Sequence, residues 1–361
     1  MNYHIIKLIT LTVLLTSFSQ SQEKPAGKFS GYMFGDYFYN IQRDTAITSL
    51  PSVATGGAKD LQGFQFRRIY FTYDNTISNS FNSRFRLEMN DKMALLVKDA
   101  YLRWKNIFDG SDMIFGVQPT PAFEISETAW SYRSLEKTIM DLRGIVNSRD
   151  LAISLKGKLD NDGIYNYWIM IGNNSGTNFE TDKYKRYYAN FHVKPNDNFQ
   201  ISVYGDLKAQ SSINNPNNIT LPQTSLNNNV ITGAVFIGYS EKNLYSFGLE
   251  GFTQMTQNGI KEGSAVPFSI KDKNAIGVSA FASYYLKPEL TLIGRYDFYD
   301  PNMNNNFKGD SRNYIIAGMS WNVDNNVSIM PNVQIEMYEK TMIRDITSSI
   351  TGRITLYYIF L

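Results

Sequence analysis

The sequence predicts an all-β fold, a transmembrane antiparallel β-barrel of about sixteen strands with a helical third loop folded inward, and three observations carry that prediction. Segments of about ten residues alternate apolar with polar or small side chains along most of the 361-residue chain, which is the period of a two-faced strand. Short turns and long polar loops alternate between those segments. Aromatic residues make up 14%, with 24 Tyr and 23 Phe, although hydrophobic residues reach only 43% and the mean hydropathy is −0.30. A polytopic helical membrane protein would need repeated runs of about 20 apolar residues, and only the N-terminus offers anything comparable.

Residues 1–21 have the form of a signal peptide. His4 and Lys7 give a short basic start, Leu8 to Phe18 an apolar stretch, and Ser17, Ser19 and Ser21 the small residues of a cleavage site. An apolar stretch of about 11 residues is too short to span a bilayer, so the chain is expected to leave the cytoplasm, with residues 22–361 forming one barrel domain. Loss of Lys7 leaves 34 basic residues against 33 acidic ones, a net +1. Bulk charge therefore indicates no nucleic-acid partner, and any electrostatic function must lie in where charges stand. The chain has no cysteine, which excludes disulfides, zinc ribbons, iron–sulfur ligation and thiol nucleophiles. Its two histidines supply metal chemistry poorly, and no cofactor is expected.

The strands fall near residues 29–39, 62–73, 81–90, 94–105, 111–118, 149–159, 164–173, 184–194, 198–208, 229–240, 244–255, 274–286, 290–299, 312–322, 327–338 and 349–360. Phe81 to Asn90 shows the pattern most plainly. Phe81, Phe85, Leu87 and Met89 take one face, and Asn82, Arg84, Arg86, Glu88 and Asn90 the other. Leu151, Ile153 and Leu155 likewise stand opposite Ser154, Lys156 and Lys158. Strands of ten to twelve residues exceed the five or six usual in a soluble sandwich.

Short turns lie at Asn161-Asp162-Gly163, Pro195-Asn196-Asp197, Glu241-Lys242-Asn243, Lys287-Pro288-Glu289 and Asp324-Asn325-Asn326, with long loops between them. Asn90-Asp91-Lys92 is short where this scheme wants a long loop, which leaves fourteen or eighteen strands open. Pro331 stands inside a strand and must lack one ladder bond there. Ile354, Leu356, Tyr358 and Phe360 alternate with Arg353, Thr355 and Tyr357 to the end of the chain. A final strand that pairs with the first removes both open edges. Such a barrel belongs in the bacterial outer membrane, with its lipid as the first partner.

Between Gln118 and Ser148 the strand period disappears, and Ile125, Ala129, Tyr132, Leu135, Ile139 and Leu142 recur at helical spacing until Gly144. One helix is expected here, started by Pro119 and Pro121. Its polar residues Glu124, Glu127, Arg133, Glu136, Lys137 and Arg143 would form a constriction, because an apolar stripe without lipid to face must bury itself on the barrel lumen.

Gly63 to Tyr73, Arg84 to Glu88, Val97 to Trp104 and Phe115 to Pro121 resemble the phosphate-selective porin O and P family, especially members from the Bacteroidetes, over roughly residues 60–160. The resemblance implies a sixteen-stranded, often trimeric porin with its third loop turned inward. It implies a water-filled channel for passive diffusion of small hydrophilic solutes, with small anionic or polar solutes as partners, and less directly a preference for phosphate. The family's phosphate selectivity rests on an arginine ladder and a lysine cluster, and the whole ladder is not found in this chain.

On the alternation alone, Arg68, Arg84, Arg86, Arg103, Lys156, Lys158, Arg186, Arg295 and Arg353 point inward, against Glu88, Asp99, Asp206, Asp297 and Glu336. The first six are the selectivity candidates, since a narrow lumen focuses the field of its inward charges. Arg68, Arg84, Arg86 and Arg103 are expected to stack into one basic wall with only Glu88 and Asp99 against them, giving a modest anion preference. An enzyme built in a barrel is the competing class. After cleavage it would have His192 as its one imidazole, no Gly-x-Ser-x-Gly and no histidine pair for a metal. A surface or secretion-system component with incidental pore activity is the other alternative.

Overall fold

The computed structural model describes residues 27–47, 57–91, 93–218, 223–304, 309–341 and 345–361. The segment read as a signal peptide lies outside them. Sixteen antiparallel strands close into a barrel in chain order. They are β1 (Gly27–Gln42), β2 (Gln62–Thr76), β3 (Phe81–Met89), β4 (Leu95–Phe108), β5 (Ser111–Pro119), β6 (Arg149–Lys158), β7 (Tyr165–Gly172) and β8 (Arg186–Val193). The second half comprises β9 (Phe199–Lys208), β10 (Val230–Glu241), β11 (Tyr245–Glu262), β12 (Ser269–Lys287), β13 (Leu290–Asp300), β14 (Arg312–Asp324), β15 (Val327–Tyr338) and β16 (Ser349–Ile359). β1 pairs with β16 from Tyr32↔Ile359 to Gln42↔Ile350, and the Gly31 N–H donates to the Leu361 carbonyl at 3.1 Å.

Phe85, Leu102, Phe115, Ile153, Ile169, Val203, Leu249, Leu292 and Ile354 are exposed on the outer face, while Thr72, Glu88, Asp99, Ser154, Asp206 and Thr355 are buried inside. Apolar side chains outside and polar ones inside suit a bilayer around a polar lumen. The barrel is therefore an outer-membrane architecture, and the chain is placed in the bacterial outer membrane.

The short β3–β4 connection shares a rim with the long loops. Asn90 closes it locally, its backbone carbonyl accepting from Met93 N and its side-chain oxygen from Ala94 N at 2.9 and 3.1 Å. An Asx-type turn needs few residues, so the count stays at sixteen. β11 and β12 run past their expected ends because their ladder resumes at Ile260↔Lys271 after a break from Thr256, forming a ribbon that rises above the rim. At Pro331 the β14–β15 pairing jumps from Gly318↔Asn332 to Trp321↔Ile329, and Asn332 Nδ2 donates to the Met330 carbonyl at 2.9 Å.

Candidate functional site

The third loop, residues 120–148, carries two short helices rather than the single one expected. α1 (Glu124–Trp130) stops at Ser131, which adopts φ 58°, and α2 (Ile139–Leu142) follows after an irregular stretch. Wall side chains take the carbonyls a continuous helix would have used. Arg67 Nη1 donates to Ser134 O and Leu135 O at 2.7 and 2.8 Å, Gln334 to Leu135 O at 3.2 Å, and Arg295 to Lys137 O. Trp130 Nε1 donates to Glu136 O at 2.8 Å. Each of these bonds removes an acceptor from the i→i+4 ladder, and charge-assisted donors are the stronger competitors. The expected stop holds: Gly144 has φ +67° and its N–H donates to Asp141 O at 3.2 Å.

The loop lies inside the lumen. Phe123, Ile139, Met140 and Val146 pack on Met170, Tyr188, Tyr204 and Phe252, while Trp130 and Leu135 pack on Phe236, Phe281, Ile293, Tyr314, Ile316 and Met330. Leu135, Ile139 and Met140 have no exposed surface. Burying one such side chain stabilises by roughly 1.5–3 kcal/mol, so the loop is anchored along its length. Polar bonds fix its register: Ser126 Oγ donates to Glu250 at 2.9 Å, Asn190 Nδ2 to Pro121 O at 3.1 Å, and Arg143 to Glu336 at 2.7 Å.

Facing this filled side is the charged wall of β2 to β5. Two β-bulges shape it. Phe34↔Arg68 is followed by Gly35↔Phe66, leaving Arg67 as the extra residue, and Arg86↔Asp99 is followed by Leu87↔Val97, leaving Lys98 extra. A bulge re-aims the extra side chain, so Arg67 and Lys98 turn inward beside Arg68 and Asp99. Opposite the first bulge stands Gly35, where a Cβ would lie 2.6 Å from Gln65 O. Strict alternation had put Arg67 and Lys98 outside and so missed both. Arg67 reaches Asp36 and Glu136 at 3.6 and 3.8 Å, and Lys98 reaches Glu88 at 3.0 Å.

The expected excess of basic groups on this wall is corrected. Arg68 lies 3.2 Å from Glu88 and 3.7 Å from Asp91, Arg84 2.6 Å from Asp74, and Arg86 3.5 Å from Asp99; Arg103 Nε donates to Asp112 at 2.8 Å. Asp74 falls one residue past the predicted strand 62–73, and Asp112 shares the inward phase of Ile114 and Gln118 inside the predicted strand 111–118, so alternation reaches both. Arg149 adds a further cation by pairing with Asp99. Arg186 and Arg295 pair with Asp206 and Asp297, whereas the buried Arg353 has no hydrogen-bond partner among the described residues. Lys156 and Lys158 meet no carboxylate among the described residues, and Lys156 Nζ sits 4.2 Å above the Trp168 ring.

The loop's own charges are also largely compensated. Arg133 reaches Glu127 and Asp141 at 3.5 and 3.3 Å, and Lys137 reaches Asp141 at 3.5 Å. Glu124 keeps one buried oxygen without a partner. Burial alone would raise the Glu136 and Asp141 carboxyls, but Arg67 beside the first and Arg133 beside the second outweigh it, and both lie below the usual carboxylate range. Among the described residues no group of three or more His, Asp or Glu could hold a metal ion.

No family profile matches the sequence, and no curated protein matches it. Solved structures do. The outer membrane channel DcaP of Acinetobacter baumannii superposes with a TM-score of 0.63 at 13% identity, covering 94% of this chain and 99% of that one. The anion-selective porin from Comamonas acidovorans gives 0.61 at 10%, covering 93% and 100%, and Salmonella typhi OmpF gives 0.61 at 12%, covering 92% and 97%. At these identities the similarity is one of fold, and the fold this chain shares is that of outer-membrane porins.

Proposed function

We propose that the chain is a diffusion porin for small hydrophilic solutes with a modest anion preference. The observation that carries the reading is the third loop, anchored inside the lumen by apolar packing and narrowing it against a charged wall. Ion pairs along β2 to β5 line the narrowed path with largely compensated charges, and the uncompensated Lys156 and Lys158 add net positive charge nearer the short turns. Those turns face the periplasm in this reading. The segments that resemble the phosphate-selective porin O and P family, Gly63 to Tyr73, Arg84 to Glu88, Val97 to Trp104 and Phe115 to Pro121, build the charged wall and the start of the loop, which supports kinship with that family. Assembly as a trimer is part of the proposal; OmpT of Vibrio cholerae, similar in fold, has been solved in a trimer form.

The test is the reversal potential of single channels across a tenfold chloride gradient, with chloride favoured over potassium at low salt. The preference should fade as the Debye length shortens from about 10 Å at 0.1 M toward about 3 Å at 1 M. A native channel that favours cations would overturn the anion preference, and a folded barrel that conducts nothing would overturn the porin reading.

A further inference from the structure

A cavity of about 440 Å³ opens at the short-turn end of the lumen, between β4 and β8 and beneath Ile125 of α1. Gly110, Gly163 and Lys194, from three successive short turns, mark its mouth. Its charged lining is Arg103, Lys156, Lys158 and Lys194 against the single carboxylate of Asp112. Asp112 is already engaged by Arg103, so three ammonium groups remain. Lys194 also reaches Asp197 at 3.5 Å, but that carboxylate is fully exposed and screened by water. This contrasts with the wall of β2 to β5, where each inward arginine named above has an acid.

The geometry points to a binding site for an anionic sugar, a monosaccharide carrying a phosphate or sulfate ester. Lysines bind phosphate and sulfate groups as compact point charges, and the one guanidinium here, whose fork would also grip such groups, is already taken up by Asp112. Lys156 is held in place by the face of Trp168, a ring that is only 8% exposed. The cavity falls within the roughly 300–1,000 Å³ range of organic-ligand sites, more room than a bare oxyanion needs. Asn166, Asn190 and His192 line the rest of it. The amide nitrogens of Asn166 and Asn190 are held by Gly163 O and by Pro121 O and Ser202, so their amide oxygens are the groups left for sugar hydroxyls, while Ile125 gives an apolar ceiling. This site deepens the reading as an anion-preferring porin and rests on it: a weak station at one mouth would enrich such solutes without closing the path.

The experiment is calorimetric titration of the folded, detergent-solubilised barrel with glucose 6-phosphate, glucose 6-sulfate, glucose and inorganic phosphate. Both esters should bind, glucose and inorganic phosphate about tenfold or more weaker, and Lys156→Gln with Lys158→Gln should weaken the esters by about tenfold, the factor that corresponds to about 1.4 kcal/mol. Lys158→Gln alone, which leaves the Lys156–Trp168 contact intact, gives a partial loss and covers the case in which the double variant fails the heat-modifiability check of folding. Inorganic phosphate binding as tightly as the esters would reduce the site to a simple ion trap and overturn the inference, as would variants that bind like the native barrel or a native barrel that binds neither ester. Conductance of the same preparation scores the porin reading separately, so the two can fail independently.

Discussion

From β2 to β5 the inward positions carry Arg68, Arg84, Arg86 and Arg103 with their acids, whereas from β7 to β15 the inward positions that meet the third loop carry Met170, Tyr188, Tyr204, Phe252, Phe281 and Ile316. Both walls belong to one lumen and follow one alternation. The difference teaches where such a barrel can hold dry packing. An apolar inward face is stable only when a loop covers it, while a charged inward face keeps water beside it and must pair its charges to stay ordered. Arg67 belongs to both, since it stands on the charged wall and binds the loop's carbonyls across the lumen.

Breaking the apolar side should have the largest effect. Deleting residues 122–146 uncovers that wall and is expected to raise single-channel conductance severalfold, with the barrel still heat-modifiable; unchanged conductance would mean the loop does not narrow the path. Arg67→Met comes next. It removes both carbonyl bonds and leaves Glu136 and Asp36 without their guanidinium, a loss of about 3–5 kcal/mol in loop docking by analogy with broken buried pairs. Hydrogen exchange at residues 134–136 reads it, and native-like protection there would show that apolar packing alone holds the loop.

Acid tests the same anchor more gently. The Glu136 and Asp141 carboxyls are depressed, so the stabilisation they give is complete above the ordinary carboxylate range and is lost as pH falls through their lower folded values. Conductance should stay level from neutral pH down to about pH 4, near the ordinary carboxylate values, and become noisy only below it. A transition at pH 6 would point to some other group. The smallest effect is expected from Arg84→Gln combined with Asp74→Asn, which removes one complete ion pair and no net charge. The reversal potential should not move; a clear shift toward cations would mean that Arg84 attracts anions despite its partner.

Much of the fold was legible because alternation is a local property. Leu151 to Lys158 and Phe81 to Met89 sort into two faces without reference to any neighbour, and the short turns between strands follow from Asn, Asp, Gly and Pro in sequence. The inward phase of Lys156 and Lys158 comes from the same rule, and so does that of Asp112 within its predicted strand and of Asp74 one residue past the end of its own. The single helix from Ile125 to Leu142 did not survive, because helical spacing records which side chains are apolar and says nothing about who binds the backbone carbonyls.

The sequence by itself determined the barrel, its approximate count of strands and the presence of an apolar loop among polar ones, since each is set by the order of residue types along the chain. Tertiary structure alone decided that Arg67 and Lys98 turn inward, that each arginine of the β2 to β5 wall meets an acid, and that the loop breaks at Ser131. A bulge depends on the register between two strands, and an ion pair on which strands become neighbours. A carbonyl claimed by Arg67 or Gln334 depends on a contact between residues far apart in the chain. None of these is encoded within the dozen residues over which a periodicity can be read.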